Sequence, residues 1–292
     1  MLSRLNHPCI VHFWGVVPVD EGSKAPQGAA QGISTRYDSA RSFGDGIGIG
    51  GRPSTRSSSS ITSKLSLGLV MDRCDESLEM LLNDQPLLRL PVVLHVAERI
   101  ACGLKYLHAE APVKVVHGDL KPANVLLKHG THIVQLTDFG LSSTIAVHTM
   151  SMGAMQLGQN RAGQSGGTLH WAAPELLDAW GEGRDAPHTL ACDIYSLGII
   201  LHQLLVGQMP CMGMPMAPEA LKAAVRAGNR PSWAGWEEVR GREAGPDVLK
   251  RLQRLVEACW APGATQRPTA QQVHAQLVEL KRLVPAGSAV TV

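Results

Sequence analysis

Asp119, Lys121, Asn124 and Asp138 are the side chains in this sequence whose types and spacing suit a chemical task. Asp119 and Asn124 stand five residues apart in "HGDLKPANVLL", with Lys121 between them, and Asp138 follows in "TDFG". A carboxylate takes up the proton of an attacking hydroxyl, and a lysine balances phosphate charge. An amide and a carboxylate supply oxygen ligands to Mg²⁺, which keeps few protein ligands beside water and phosphate. Together these are the requirements of phosphoryl transfer. Each residue is commonplace alone; the order and spacing make the set specific.

Short apolar runs flank the set, "VVHGDL", "NVLL" and "IVQLTDFG", and they predict β-hairpin turns around a site. Upstream, "IVHFWGVVPV" (10–19) and "KLSLGLVMD" read as two strands that pair with each other. Between them, residues 20–63 are rich in Gly and Ser and predict a flexible insertion. A long loop closes at modest entropic cost, so the pairing survives it. From Ser77 the periodicity turns helical. "SLEMLLND" and "VVLHVAERIACGLKYLHAE" carry the three–four spacing, and further helices are expected over 191–206, about 217–227, 246–259 and 269–283. Thr269 and Gln272 are placed for a capping box on the last of these.

The formal net charge is +2, with no basic run, so no nucleic-acid partner is implied. "IYSLGIILHQLLVG" is too short and interrupted to span a bilayer, and no membrane insertion is expected. The N-terminus shows no signal-peptide pattern. The 6 cysteines are scattered without a C-x-x-C pair, which favours reduced thiols and a cytoplasmic setting over a disulfide framework or a zinc site.

Several motifs together resemble the eukaryotic protein kinase family. "HGDLKPANVLL" is similar to its catalytic loop, "DFG" to its magnesium motif, and "GGTLHWAAPE" to the end of its activation segment. "DIYSLG", "CWAPGATQRP", "LNHPCIV" and "LGLVMDRCDESLEMLL" extend the resemblance over the chain outside the insertion. Lys121 marks the Ser/Thr type, and Trp171 leans toward the tyrosine-kinase-like group. The resemblance implies an α+β, two-lobe fold with an incomplete β-rich small lobe and a complete, mainly helical large lobe. Its divisions would be a partial small lobe over 1–72, a large lobe over 73–284 and a tail over 285–292. It implies ATP and Mg²⁺ as cofactors and Ser/Thr hydroxyls of proteins as substrates; oligomeric state is left open. By resemblance Asp119 is the catalytic base and Lys121 steadies the transferred phosphoryl, while Asn124 and Asp138 hold Mg²⁺. Met71 takes the gatekeeper position, Asp72, Arg73 and Cys74 the hinge that reads adenine, and Leu126 the adenine floor. His117, Thr168, Asp193 and the Glu175–Arg267 pair are implied structural supports.

The sequence also departs from the family. No lysine stands in a V-A-I-K setting, and Met1 falls just after the position of the helix glutamate that would pair with it. Gly46, Gly48 and Gly51 satisfy G-x-G-x-x-G, but they follow "HPCIV" and precede "RPSTRSSSS", so they read as low-complexity linker. Gly118 replaces the arginine that many kinases carry beside the aspartate, which puts control by an activation-segment phosphate in doubt. An N-terminally truncated kinase of weak or absent turnover is therefore expected. The alternative is a pseudokinase-like scaffold or interaction module.

Overall fold

The computed structural model describes residues 4–19, 66–138, 143–144, 168–181, 188–210 and 217–284. The Gly/Ser-rich insertion, Gly46 to Gly51, Phe139 and Gly140, most of the activation segment, Cys211 and the 285–292 tail lie outside the described residues. The chain divides into two units, His12–Arg73 and Met1–Val11 joined by Cys74–Val292.

In the smaller unit, β1 (Phe13–Val19) pairs antiparallel with β2 (Ser66–Met71), with Phe13 opposite Met71 and Val19 opposite Ser66. The β-branched residues expected to pair across the insertion do so. Trp14, Val16, Val17, Leu69, Val70 and Met71 remain exposed, as a two-stranded ribbon has one layer and little to bury its faces against.

After Cys74 the larger unit continues with β3 (Glu76–Ser77) and α1 (Leu78–Asp84), whose cap Ser77 accepts the Met80 N–H. Then α2 (Leu90–Lys105) buries Val93, Leu94, Ala97, Ile100, Ala101 and Leu104, a wide apolar stripe at helical spacing. A π-helical turn, Tyr106–Glu110, ends it. β4 (Val115–Val116) pairs with β7 (Ser143–Thr144), while β5 (Val125–Lys128) and β6 (Ile133–Leu136) form the expected hairpin, with β3 on the outer side of β5.

The helical body follows with α3 (Pro174–Gly181), α4 (Leu190–Val206), α5 (Pro218–Arg226), α6 (Trp236–Arg240), α7 (Pro246–Cys259) and α8 (Ala270–Leu283). Every residue of α4 from Cys192 to Val206 is buried, which a helix achieves only at the centre of a body. At Gly198 a Cβ would stand 2.8 Å from the Cys259 Cβ, so glycine there lets α4 and α7 approach closely. α7 and α8 bury one stripe each, and Thr269 and Gln272 form the expected capping box.

Residues 4–11 depart from the expected lobe boundary at 72, because they belong to the larger unit. Val11 donates to the Leu136 carbonyl at 3.0 Å and Leu136 to that of Cys9 at 2.8 Å. Leu5, Cys9, Ile10 and Val11 are buried, so this segment extends the β6 edge and shares the larger core.

Candidate active site

β4 carries two buried valines into the loop from His117 to Lys121, and a 3-10 turn, Pro122–Asn124, leads out into β5. Gly118 sits at φ 80°, where a side chain would be strained. Asp193, in the first turn of α4, fixes this bend. Its carboxylate accepts the His117 N–H at 2.8 Å, the Gly118 N–H at 2.9 Å and the His108 Nε2–H at 2.8 Å. Burial pushes the Asp193 carboxyl up, but the His108 hydrogen bond and charge, His117 and the Gly118 N–H outweigh it and hold the group low.

His117 is fully buried, and burial pushes its imidazole below the ordinary value against the pull of Asp193, Asp119 and Asp138. It is a neutral packing and hydrogen-bonding group; its Nδ1 faces the Asp119 N–H at 3.4 Å.

The loop brings three of the expected residues into direct contact. Lys121 Nζ donates to Asp119 Oδ2 at 2.8 Å, and Asn124 Nδ2 donates to the same oxygen at 3.2 Å and to the Asp119 carbonyl at 2.7 Å. The donor end of the Asn124 amide is thereby committed to Asp119, leaving its oxygen as a ligand atom for a hard cation. The Thr137 N–H donates to the Asn124 carbonyl at 3.1 Å, tying the loop to the strand that delivers Asp138. Asp138 itself has φ 59°, a region few non-glycine residues occupy, and such strain gathers at functional sites. An amide oxygen and a carboxylate at these positions fit the Mg²⁺ expected from the motif.

Within β5, Val125 and Leu127 face the core, while Leu126 and Lys128 lie half-buried on the other face. Met71 ends β2 in the smaller unit, where Asp72 donates its N–H to the His12 carbonyl at 3.0 Å and accepts the Trp14 indole N–H at 2.7 Å. The division between the units falls at Arg73 and Cys74. In the larger unit Cys74 Sγ stands 3.7 Å from Gln135 Oε1.

Thr168 opens the 3-10 turn Thr168–Trp171, and the Trp171 carbonyl accepts the Ser196 hydroxyl at 2.8 Å. Beyond it, Glu175 meets Arg267 in a two-pronged ion pair of 2.7 and 2.9 Å. The Arg267 side chain is wholly buried and also donates to the carbonyls of Ala191, Ala261 and Pro262. Burial pushes Glu175 up, yet the Arg267 hydrogen bonds prevail and its carboxyl lies below the usual range.

Residues 55–277 match the protein kinase domain. The chain belongs to the protein kinase family. It is 35% identical over 211 residues to human receptor-interacting serine/threonine-protein kinase 3, covering 71% of this chain and 37% of that protein. Against human mitogen-activated protein kinase kinase kinase 7 the identity is 26% over 185 residues, 63% of this chain and 26% of the relative. A serine/threonine-protein kinase of Arabidopsis thaliana is 30% identical over 196 residues, 67% of this chain and 28% of its own length. The chain thus spans between 26% and 37% of the length of these relatives.

Two members of the loop's support carry no local sequence signal. His108 reaches Asp193 from 85 residues away. Thr137 acts through its backbone, which any residue type supplies.

Proposed function

We propose that this chain carries the phosphoryl-transfer centre of an ATP-dependent protein serine/threonine kinase. The observation that supports it most is the contact set at Asp119. Lys121 and Asn124 both engage Oδ2, which leaves Oδ1 to take the proton of a substrate Ser or Thr hydroxyl. Lys121, half-buried beside that carboxylate, moves its charge to the transferred phosphoryl when substrate is bound. The Asn124 oxygen and the Asp138 carboxylate hold Mg²⁺, which neutralises phosphate charge. Asp72, Arg73 and Cys74 take the adenine edge, with Met71 as gatekeeper and Leu126 as floor. His117, Thr168, Asp193, Glu175 and Arg267 hold the loop and the segment after it. Among the described residues no helix is long and apolar enough to cross a membrane.

A non-catalytic kinase-fold module is the second reading, favoured by the lack of a V-A-I-K-like lysine in these residues. Radiolabelled phosphate transfer from Mg²⁺–ATP to a generic Ser/Thr peptide separates the two. Asp119→Asn is expected to lower the rate by about two to four orders of magnitude with the fold intact. A parent rate no higher than a protein-free control assigns the chain to the non-catalytic class, and a folded Asp119→Asn variant within about threefold of an active parent refutes the role of Asp119.

A further inference from the structure

Residues 4–11, α2 and α8 gather a second group of reactive side chains. The ligand-type atoms of His7, Cys9 and Cys102 lie within 4.8 Å of one another, as do those of Glu98, Cys102 and His274. Cys9 is fully buried and Cys102 half-buried. His7 Nδ1 accepts the Cys9 N–H at 3.1 Å, which places the ring proton on Nε2, 4.0 Å from Cys102 Sγ. Stacking on Tyr106, with ring centroids 4.6 Å apart, fixes the imidazole in that pose.

We propose that Cys9 and Cys102 form a reversible disulfide in response to hydrogen peroxide, with Cys102 the attacking thiolate and Cys9 the resolving thiol. The two sulfurs already lie within 4.8 Å, and a disulfide brings them to about 2.0 Å. The pair is also asymmetric. A hydrogen bond from Cys9 draws the Cys102 thiol well below its ordinary value despite burial, with His274 and Arg99 adding positive charge. The same contact and burial push Cys9 up and keep it protonated. A low, partly accessible thiolate beside a protonated partner is the arrangement in which one sulfur is attacked by peroxide and the other resolves it.

The chemistry balances. The Cys102 thiolate attacks one peroxide oxygen and the O–O bond breaks. Cys102 becomes a sulfenic acid, and hydroxide leaves and is protonated to water. Cys9 sulfur then attacks Cys102 sulfur, the S–O bond breaks, and a second water departs with the Cys9 proton. Peroxide gains two electrons and the two thiols lose them. Zinc fits this group less well, because binding at His7 Nε2 would require both the loss of its proton and the surrender of the Cys9 N–H contact at Nδ1. The disulfide would fasten the N-terminal segment to α2.

The test uses the whole chain, reduced and then treated with hydrogen peroxide, followed by intact mass and peptide mapping. The parent is expected to lose about 2 Da, to yield a Cys9–Cys102 linked peptide, and to recover both thiols with dithiothreitol. Cys9→Ser should stop at a trappable sulfenic acid, about 16 Da heavier. Cys102→Ser should leave Cys9 unmodified at doses that fully oxidise the parent. A parent map without the linked peptide overturns the proposal even if a variant fails to fold. So does one zinc per chain in the reduced protein that blocks oxidation, and so does Cys9 oxidation as fast in Cys102→Ser as in the parent.

Discussion

Arg267→Ala removes a guanidinium whose side chain is wholly buried and whose contacts are all named atoms. Two bonds of 2.7 and 2.9 Å go to Glu175, and three of 2.9, 3.0 and 3.2 Å go to the carbonyls of Ala261, Ala191 and Pro262. Its loss leaves a partly buried carboxylate without its cation, a defect that costs about 3–5 kcal/mol. Water entering the vacated space re-satisfies some carbonyls, so about 4 kcal/mol is the expected loss of stability at pH 7. For a body of this size that lowers Tm by about 8–16 °C. The pH dependence follows from the depressed Glu175 carboxyl. Its contribution is fully present above the unfolded value, about 4.3, and is lost as pH falls through the lower folded value. The difference between parent and variant should therefore shrink in acid. Urea unfolding followed by circular dichroism at pH 7 and pH 3 measures it. A difference below about 1 kcal/mol at pH 7, or an equal difference at both pH values, would refute the reasoning.

Asp193→Ala orphans the buried amide of His117 and the partly buried amide of Gly118, at about 3–5 kcal/mol, and hydrogen exchange should show those two amides losing protection while α4 keeps its own. Unchanged exchange at both amides would mean the loop is held elsewhere. His202 packs against both Trp233 and Trp260 and donates to the Ser232 carbonyl, and burial lowers its imidazole to about 4. A folded value below the unfolded one makes stability complete above about pH 6.5 and lost as pH falls toward 4, by about 3 kcal/mol. His202→Gln should flatten that slope in urea midpoints taken between pH 7 and pH 4.5; a slope equal to the parent's would exclude His202 as its source.

Whatever depended on neighbours a few residues apart was legible in the sequence. The Asp119, Lys121 and Asn124 contacts close within five residues, so their spacing already implied a shared site. The Thr269–Gln272 box and the apolar stripes of α2, α7 and α8 are likewise short-range patterns that local geometry turns into structure. The Glu175–Arg267 pair came into view only through family resemblance, since nothing local links positions 92 residues apart.

Tertiary structure alone decided the rest. It made residues 4–11 part of the larger unit by giving Cys9 and Val11 the backbone of Leu136 as partner. It set Asp193 beneath the loop and buried Arg240 completely, with the carbonyls of Leu88, Leu204 and Leu205 around its guanidinium. In the sequence Arg240 resembles any charge near a helix end. A buried polar group is stable only with partners, and its partners here come from distant segments. Side-chain type sets what a residue can do, but the packing of the whole chain sets which donors and acceptors it meets.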